Sequence, residues 1–354
     1  MHATLIYGDH DIRAEEVPDP ILLTGDDAIV RVVAACVCGS DLWPYRGVDA
    51  VRAPRRIGHE FVGVVEQIGP KVSKIAVGDF VIAPFYYCDM TCANCLYGYS
   101  AYCLNGGFWG TDDRQGAFAD GGQGELVRVP MADGTLVATP GIPDAALIPD
   151  LLALSDVMGT GHHAALSAGV GRGDTVVVVG DGAVGLCGVL AATRLGAGRV
   201  IAMSRTPQRQ QLARDFGATD IVEERGDEGV ERIRELTGGI GADRVLECVG
   251  TEEAMDQSLR VARVGGQVGF VGVPHGADLR IGRLFRSNVG LRGGVASVRN
   301  TMPELLPEVL DGRLRPGRVF DLELPLAEVP EAYRAMDERR ATKVLLRPEA
   351  PLSR

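Results

Sequence analysis

The sequence predicts an α/β chain in two parts, one β-rich and the other a doubly wound parallel sheet. Three observations carry this. Up to about residue 150 the text consists of short apolar runs broken by Gly, Pro and Asp, such as ATLIYG, AIVRVVAACV, FVGVVEQIG, GDFVIAP and ELVRVP. Beyond that point strand-like and helix-like stretches alternate, the signature of a parallel sheet covered on both faces. At 354 residues the chain is long enough for two cores.

Composition narrows the function classes. A hydrophobic content of 46% and a charged content of 23% are ordinary for a globular protein. The net charge of −11 excludes a broad nucleic-acid surface. Acidic residues stand in the first twenty positions, where a secretion signal needs a basic start, and no apolar run reaches membrane-spanning length. The expectation is a cytoplasmic protein without a membrane partner. Its eight cysteines are then reduced, and clustered ones are better explained as metal ligands than as disulfides.

In chain order, the β-rich part is read as an antiparallel barrel or sandwich. It holds the stretch in which Cys38, Ser40 and Asp41 precede His59 and Glu60, with His59 at the start of a strand. Thiolate, imidazole and carboxylate are the groups that hold a catalytic zinc through three protein bonds with one position open. Next comes a cysteine lobe. Cys92-x2-Cys95-x7-Cys103 supplies three thiolates for a structural tetrahedral zinc. The fourth ligand is open at this stage: Asp89 has the right spacing, Cys88 the better sulfur chemistry.

After residue 150 the run Asp174–Gly180 reads as a strand buried on both faces. It runs into Gly180-Asp-Gly182-Ala183-Val184-Gly185 and then a helical pattern. That strand–loop–helix context makes the glycines a dinucleotide fingerprint. Further strand–helix pairs follow to GGQVGFVG. A helix at TMPELLPEVLDG and a final ATKVLLRP run are expected to return and complete the first domain. The expected division is 1–152 with 296–354, and 153–295.

Taken in this order, the GHE after CGSD, the cysteine lobe, the glycine fingerprint and the KVLL strand resemble a zinc-dependent medium-chain dehydrogenase/reductase of the alcohol dehydrogenase family. The resemblance implies a GroES-like catalytic domain and a Rossmann cofactor domain. It implies Cys38, His59 and Asp156 as ligands of a catalytic zinc, with Glu60 behind the metal or joining it. A helix N-cap is the competing reading of Asp156. Ser40 takes the place of the relay hydroxyl, with a turn-forming serine as the alternative. Relatives often complete the relay with a His a few residues on, where this chain has Trp43-Pro44-Tyr45-Arg46. His162 and His163 are read as structural.

The cofactor line implied is Thr160, Gly180, Gly182, Ala183, Val184, Gly185, Ser204, Arg205, Arg209, Val249 and Val273. About twenty residues past the glycines an NAD enzyme carries an acid; here Met203-Ser204-Arg205-Thr206 has none. Ser204, Arg205 and Arg209 can hold a 2′-phosphate, so NADP(H) is expected over NAD(H); the competing reading, solvated charges at a helix start, leaves the missing acid unexplained. The activity implied is alcohol–carbonyl interconversion on a small molecule by a homodimer or homotetramer. A zinc-free quinone or enoyl reductase, or a catalytically idle nucleotide-binding relative, are the rivals. Trp43, Phe108 and Trp109 hint at a pocket for an apolar or aromatic group, with plain packing as the competing reading.

Overall fold

A computed structural model describes residues 1–51, 54–112, 118–274, 276, 279 and 281–348. The chain divides into two compact units, Met1–Asp156 with Ser297–Arg354, and Val157–Ala296. The first boundary thus follows Asp156 instead of residue 152, and the return is at 297 instead of 296.

In the first unit, β1 (Ala28–Cys36), β2 (Phe61–Ile68) and β3 (Phe80–Ala83) run antiparallel to their neighbours. Leu126–Val129 pairs antiparallel with the first half of β1, Leu126 opposite Arg31 and Val129 opposite Ala28. β1 is buried along nearly its whole length because both its faces meet apolar partners.

The second unit is a six-stranded sheet. Its strands are β4 (Thr175–Val179), β5 (Arg199–Met203), β6 (Asp220–Val222), β7 (Ala242–Glu247), β8 (Ala262–Phe270) and β9 (Gly290–Gly293). The spatial order is β6-β5-β4-β7-β8-β9, every pair parallel. The order reverses at β4, where such sheets open a crevice for a ligand. β-Branched Val176, Val177 and Val178 fill β4 and are fully buried. Helices α1 (Val157–Ala168), α2 (Ala183–Arg194) and α3 (Pro207–Asp215) belong to this unit.

The tail returns through the helix Val298–Leu310 to β10 (Leu322–Pro325) and β11 (Val344–Arg347). β11 joins the first unit's sheet beside β1, giving the order Val137–Ala138, β3, β2, β1, β11, β10. The β10–β11 pair is parallel, so the sheet is mixed and not purely antiparallel as expected from the sequence. Of the two readings of Trp109, packing is the one the structure bears out: the residue is core. Its ring packs edge-on to Phe61 with centroids 5.2 Å apart, and its N–H donates to the Pro84 carbonyl at 2.8 Å. Phe108 is exposed. Among the described residues no helix is long and apolar enough to cross a membrane.

Candidate functional site

Strand register builds the first cluster. Ala35 near the end of β1 faces Phe61 at the start of β2, and Cys36 faces Leu345 in β11. The residues just beyond these ends, Cys38, His59, Glu60 and Lys343, are therefore brought together from three parts of the chain. A hydrogen bond from the Phe85 N–H to the Ser155 carbonyl, 3.1 Å, holds Asp156 beside them. Ligand atoms of Cys38, His59, Glu60 and Asp156 all lie within 4.8 Å of one another.

The separations fit an ion. Cys38 Sγ is 3.7 Å from Asp156 Oδ2, and His59 Nε2 is 3.6 Å from the same oxygen. Tetrahedral zinc with ordinary bond lengths would set its sulfur and oxygen ligands about 3.6 Å apart, and nitrogen and oxygen about 3.4 Å. Glu60 Oε2 is buried without a hydrogen-bond partner, an orphan acceptor facing a cation-binding donor set. The chemistry of the donors matches zinc, with thiolate and carboxylate charges cancelling the ion's.

Neighbours orient each donor. Asp41 Oδ1 is 3.2 Å from His59 Nδ1, which leaves Nε2 as the donor atom. Asp41 Oδ2 accepts from the Cys38 N–H at 3.0 Å and from Gln123 Nε2 at 3.3 Å. Tyr333 in turn donates to Gln123 Oε1 at 3.1 Å. Lys343, 1% exposed, donates from Nζ to Glu60 Oε1 at 2.6 Å and to the Val37 carbonyl at 3.2 Å. Burial alone would push the His59 imidazole down; the charges of Asp41 and Cys38 and hydrogen bonds to Asp156 and Asp41 carry it well above its usual value. Burial raises the Cys38 thiol and the Glu60 carboxyl, the latter held back by Lys343. Ser40 is half-buried in the turn after Cys38, its carbonyl accepting from the Trp43 N–H.

The second cluster is local. Ligand atoms of Asp89, Cys92, Cys95 and Cys103 lie within 4.8 Å of one another. Cys92 Sγ is 3.5 Å from Cys95 Sγ and 3.8 Å from Cys103 Sγ, against about 3.8 Å across a tetrahedral zinc and about 2.05 Å in a disulfide. Cys88 stands apart, fully buried with its thiol toward the Gly134 carbonyl. Asp89, and not Cys88, is therefore the group within reach of the three thiols. Its carboxylate accepts from the Thr91 and Cys92 N–H groups and from Asn105 Nδ2.

In the second unit the glycine loop joins β4 to α2. Gly180 has φ +119, a conformation that L side chains avoid. A Cβ on Gly185 would lie 2.0 Å from the Gly180 carbonyl oxygen, so only glycine lets the helix start this close to the strand. Gly182 faces open space and caps α2 without a side-chain bond, leaving the N–H groups near Ala183 and Val184 for an anion. This cradle fits a dinucleotide's pyrophosphate. Thr160 is buried in α1; Val249 and Val273, beyond β7 and β8, are exposed. Just past β5, Ser204 is buried and Arg205 exposed, and Arg209 in α3 is buried.

Sequence reasoning missed several supporting groups. Asp41 is visible beside Cys38, but only the fold turns it onto His59. Lys343 lies in the KVLL run, and nothing local marks it as the partner of Glu60.

The family described as an alcohol dehydrogenase GroES-like domain matches residues 24–141, and the zinc-binding dehydrogenase family matches residues 183–311. A probable zinc-binding alcohol dehydrogenase of Mycobacterium tuberculosis is 35% identical over 355 residues, covering 99% of this chain and 89% of its own length. Zinc-type alcohol dehydrogenase B of Aspergillus flavus is 31% identical, covering 98% and 81%. Among solved structures, an alcohol dehydrogenase from Thermus sp. ATN1 matches with a TM-score of 0.90 and 32% identity, over 99% of this chain and 100% of that one.

Proposed function

Because the chain belongs to the zinc-type alcohol dehydrogenase family of medium-chain dehydrogenases/reductases, we propose that it interconverts an alcohol and a ketone or aldehyde with NADP(H). The observation that carries this reading is the meeting of Cys38, His59 and Asp156 at zinc-compatible separations. Zinc held by these three residues would supply Lewis acidity toward a carbonyl or alcohol oxygen. A bound nicotinamide would supply or accept the hydride.

The chain's own residues do the rest. Asp41 fixes the tautomer and the angle of the His59 ring. Lys343 holds Glu60 and offsets its charge, so that Glu60 is kept in reserve as a further carboxylate. Ser40 Oγ takes the alcohol proton; with Trp43 where relatives often carry a histidine, that proton leaves for the cofactor ribose or water. The missing acid at the end of β5, together with Ser204, Arg205 and Arg209, supports NADP(H).

A panel of alcohols and carbonyls, followed by NADPH absorbance and paired with zinc analysis, tests the reading. Turnover that persists in metal-free protein would favour the zinc-free reductase instead. A clear preference for NADH in kcat/KM would overturn the cofactor assignment alone.

A further inference from the structure

Parallel register sets Val179 at the end of β4 beside Met203 at the end of β5. The residues immediately past those ends are therefore neighbours: Asp181 in the glycine loop, and Ser204 and Arg205 after β5. Asp181 is 9% exposed and its carboxylate points at the neighbouring strand end. Its Oδ2 accepts from the Ser204 hydroxyl at 3.0 Å. Its Oδ1 and its backbone carbonyl each accept from Arg209 Nη1 at 3.4 Å. Two of the three groups assigned to the cofactor's 2′-phosphate are thus already engaged by an acid. That acid comes from the glycine loop and not from the strand end, where a count from the glycines would look for it.

We propose that Asp181 is a specificity-determining residue that sets how strongly this site distinguishes a 2′-phosphate from a 2′-hydroxyl. This rests on the NADP(H) reading given above. A phosphate entering the space between Ser204, Arg205 and Arg209 must take Ser204 and Arg209 away from the carboxylate and meets its negative charge. A ribose hydroxyl meets the same carboxylate as a hydrogen-bond acceptor. Asp181 therefore works against the two arginines, and the chain binds NADP(H) with less selectivity than its cationic strand end alone would give.

The test is calorimetric binding of 2′,5′-ADP and 5′-AMP, fragments that carry the ribose subsite and need no turnover. Asp181→Asn keeps the size and an acceptor for Ser204 while removing the charge. The ratio of the 5′-AMP Kd to the 2′,5′-ADP Kd is expected to rise about tenfold or more. Asp181→Glu, which keeps the charge, should stay near the wild-type ratio. If Asp181→Asn is misfolded by circular dichroism, Asp181→Ser takes its place with the same expected rise. An unmoved or falling ratio in the folded neutral variant overturns the inference and leaves the NADP(H) reading standing. A wild type that prefers 5′-AMP and NADH, with the ratio still rising in the variant, keeps the inference and removes the NADP(H) reading.

Discussion

The two donor clusters of the first unit use similar atoms in opposite constructions. Asp89, Cys92, Cys95 and Cys103 come from one lobe, and its backbone secures them: the Asp89 N–H donates to Cys103 Sγ at 3.4 Å and the Leu104 N–H to Cys92 Sγ at 3.3 Å. Cys38, His59 and Asp156 come from distant segments; the Asp41 side chain holds the first two, and a backbone bond at Ser155 places the third. The lobe brings four donors to one point, the number that would fill a tetrahedral site. The buried cluster also gathers four, but Glu60 is tied to Lys343 through Oε1; on the proposed reading Glu60 stands in reserve and the fourth position is the one used for chemistry. On the function proposed above, local closure would serve stability and long-range closure reaction.

That contrast can be broken outright by removing one donor from each cluster. His59→Ala is expected to abolish turnover and the buried cluster's metal while leaving the lobe's, read by zinc content and hydride-transfer rate. Retained turnover would end the assignment. Cys95→Ser should do the reverse, emptying the lobe and lowering the thermal midpoint by roughly 5–10 °C in calorimetry, with the buried cluster's metal retained. If catalysis and not stability collapsed, the division of labour would be wrong.

Finer substitutions sharpen it. Asp41→Ala leaves all three ligands in place but frees the His59 ring; a loss of roughly 10–100-fold in zinc affinity or kcat/KM is expected. Wild-type values in a competition titration would mean that the aspartate is only a structural acceptor. The smallest contrast lies at the lobe's edge. Cys88→Ala should keep the full metal content and cost about 1 kcal/mol in denaturant unfolding, since only a buried thiol is lost. Asp89→Ala should weaken the lobe's metal retention against a chelator. An exchange of those two outcomes would reassign the fourth donor.

Much of the fold and of both clusters is legible in the order of the residues. The fingerprint Gly180–Gly185 announces its strand, loop and helix because glycine is required there by backbone geometry, which is a local matter. The thiols of the lobe are legible for the same reason, since their spacing alone brings them within reach. Trp109 stays ambiguous in the sequence because an aromatic beside glycines reads alike whether its neighbour is a ligand or Phe61.

The sequence by itself determined which side chains could carry charge, sulfur or imidazole, and where the chain must turn, since these follow from residue type and near neighbours. Tertiary structure alone decided the partners. Lys343 reaches Glu60 across 283 positions of chain because β11 lies beside β1. Asp181 meets Ser204 and Arg209 because β4 and β5 end in register. Pairings of this kind depend on strand order and register, which form through burial of whole faces and leave no mark on the residues they join.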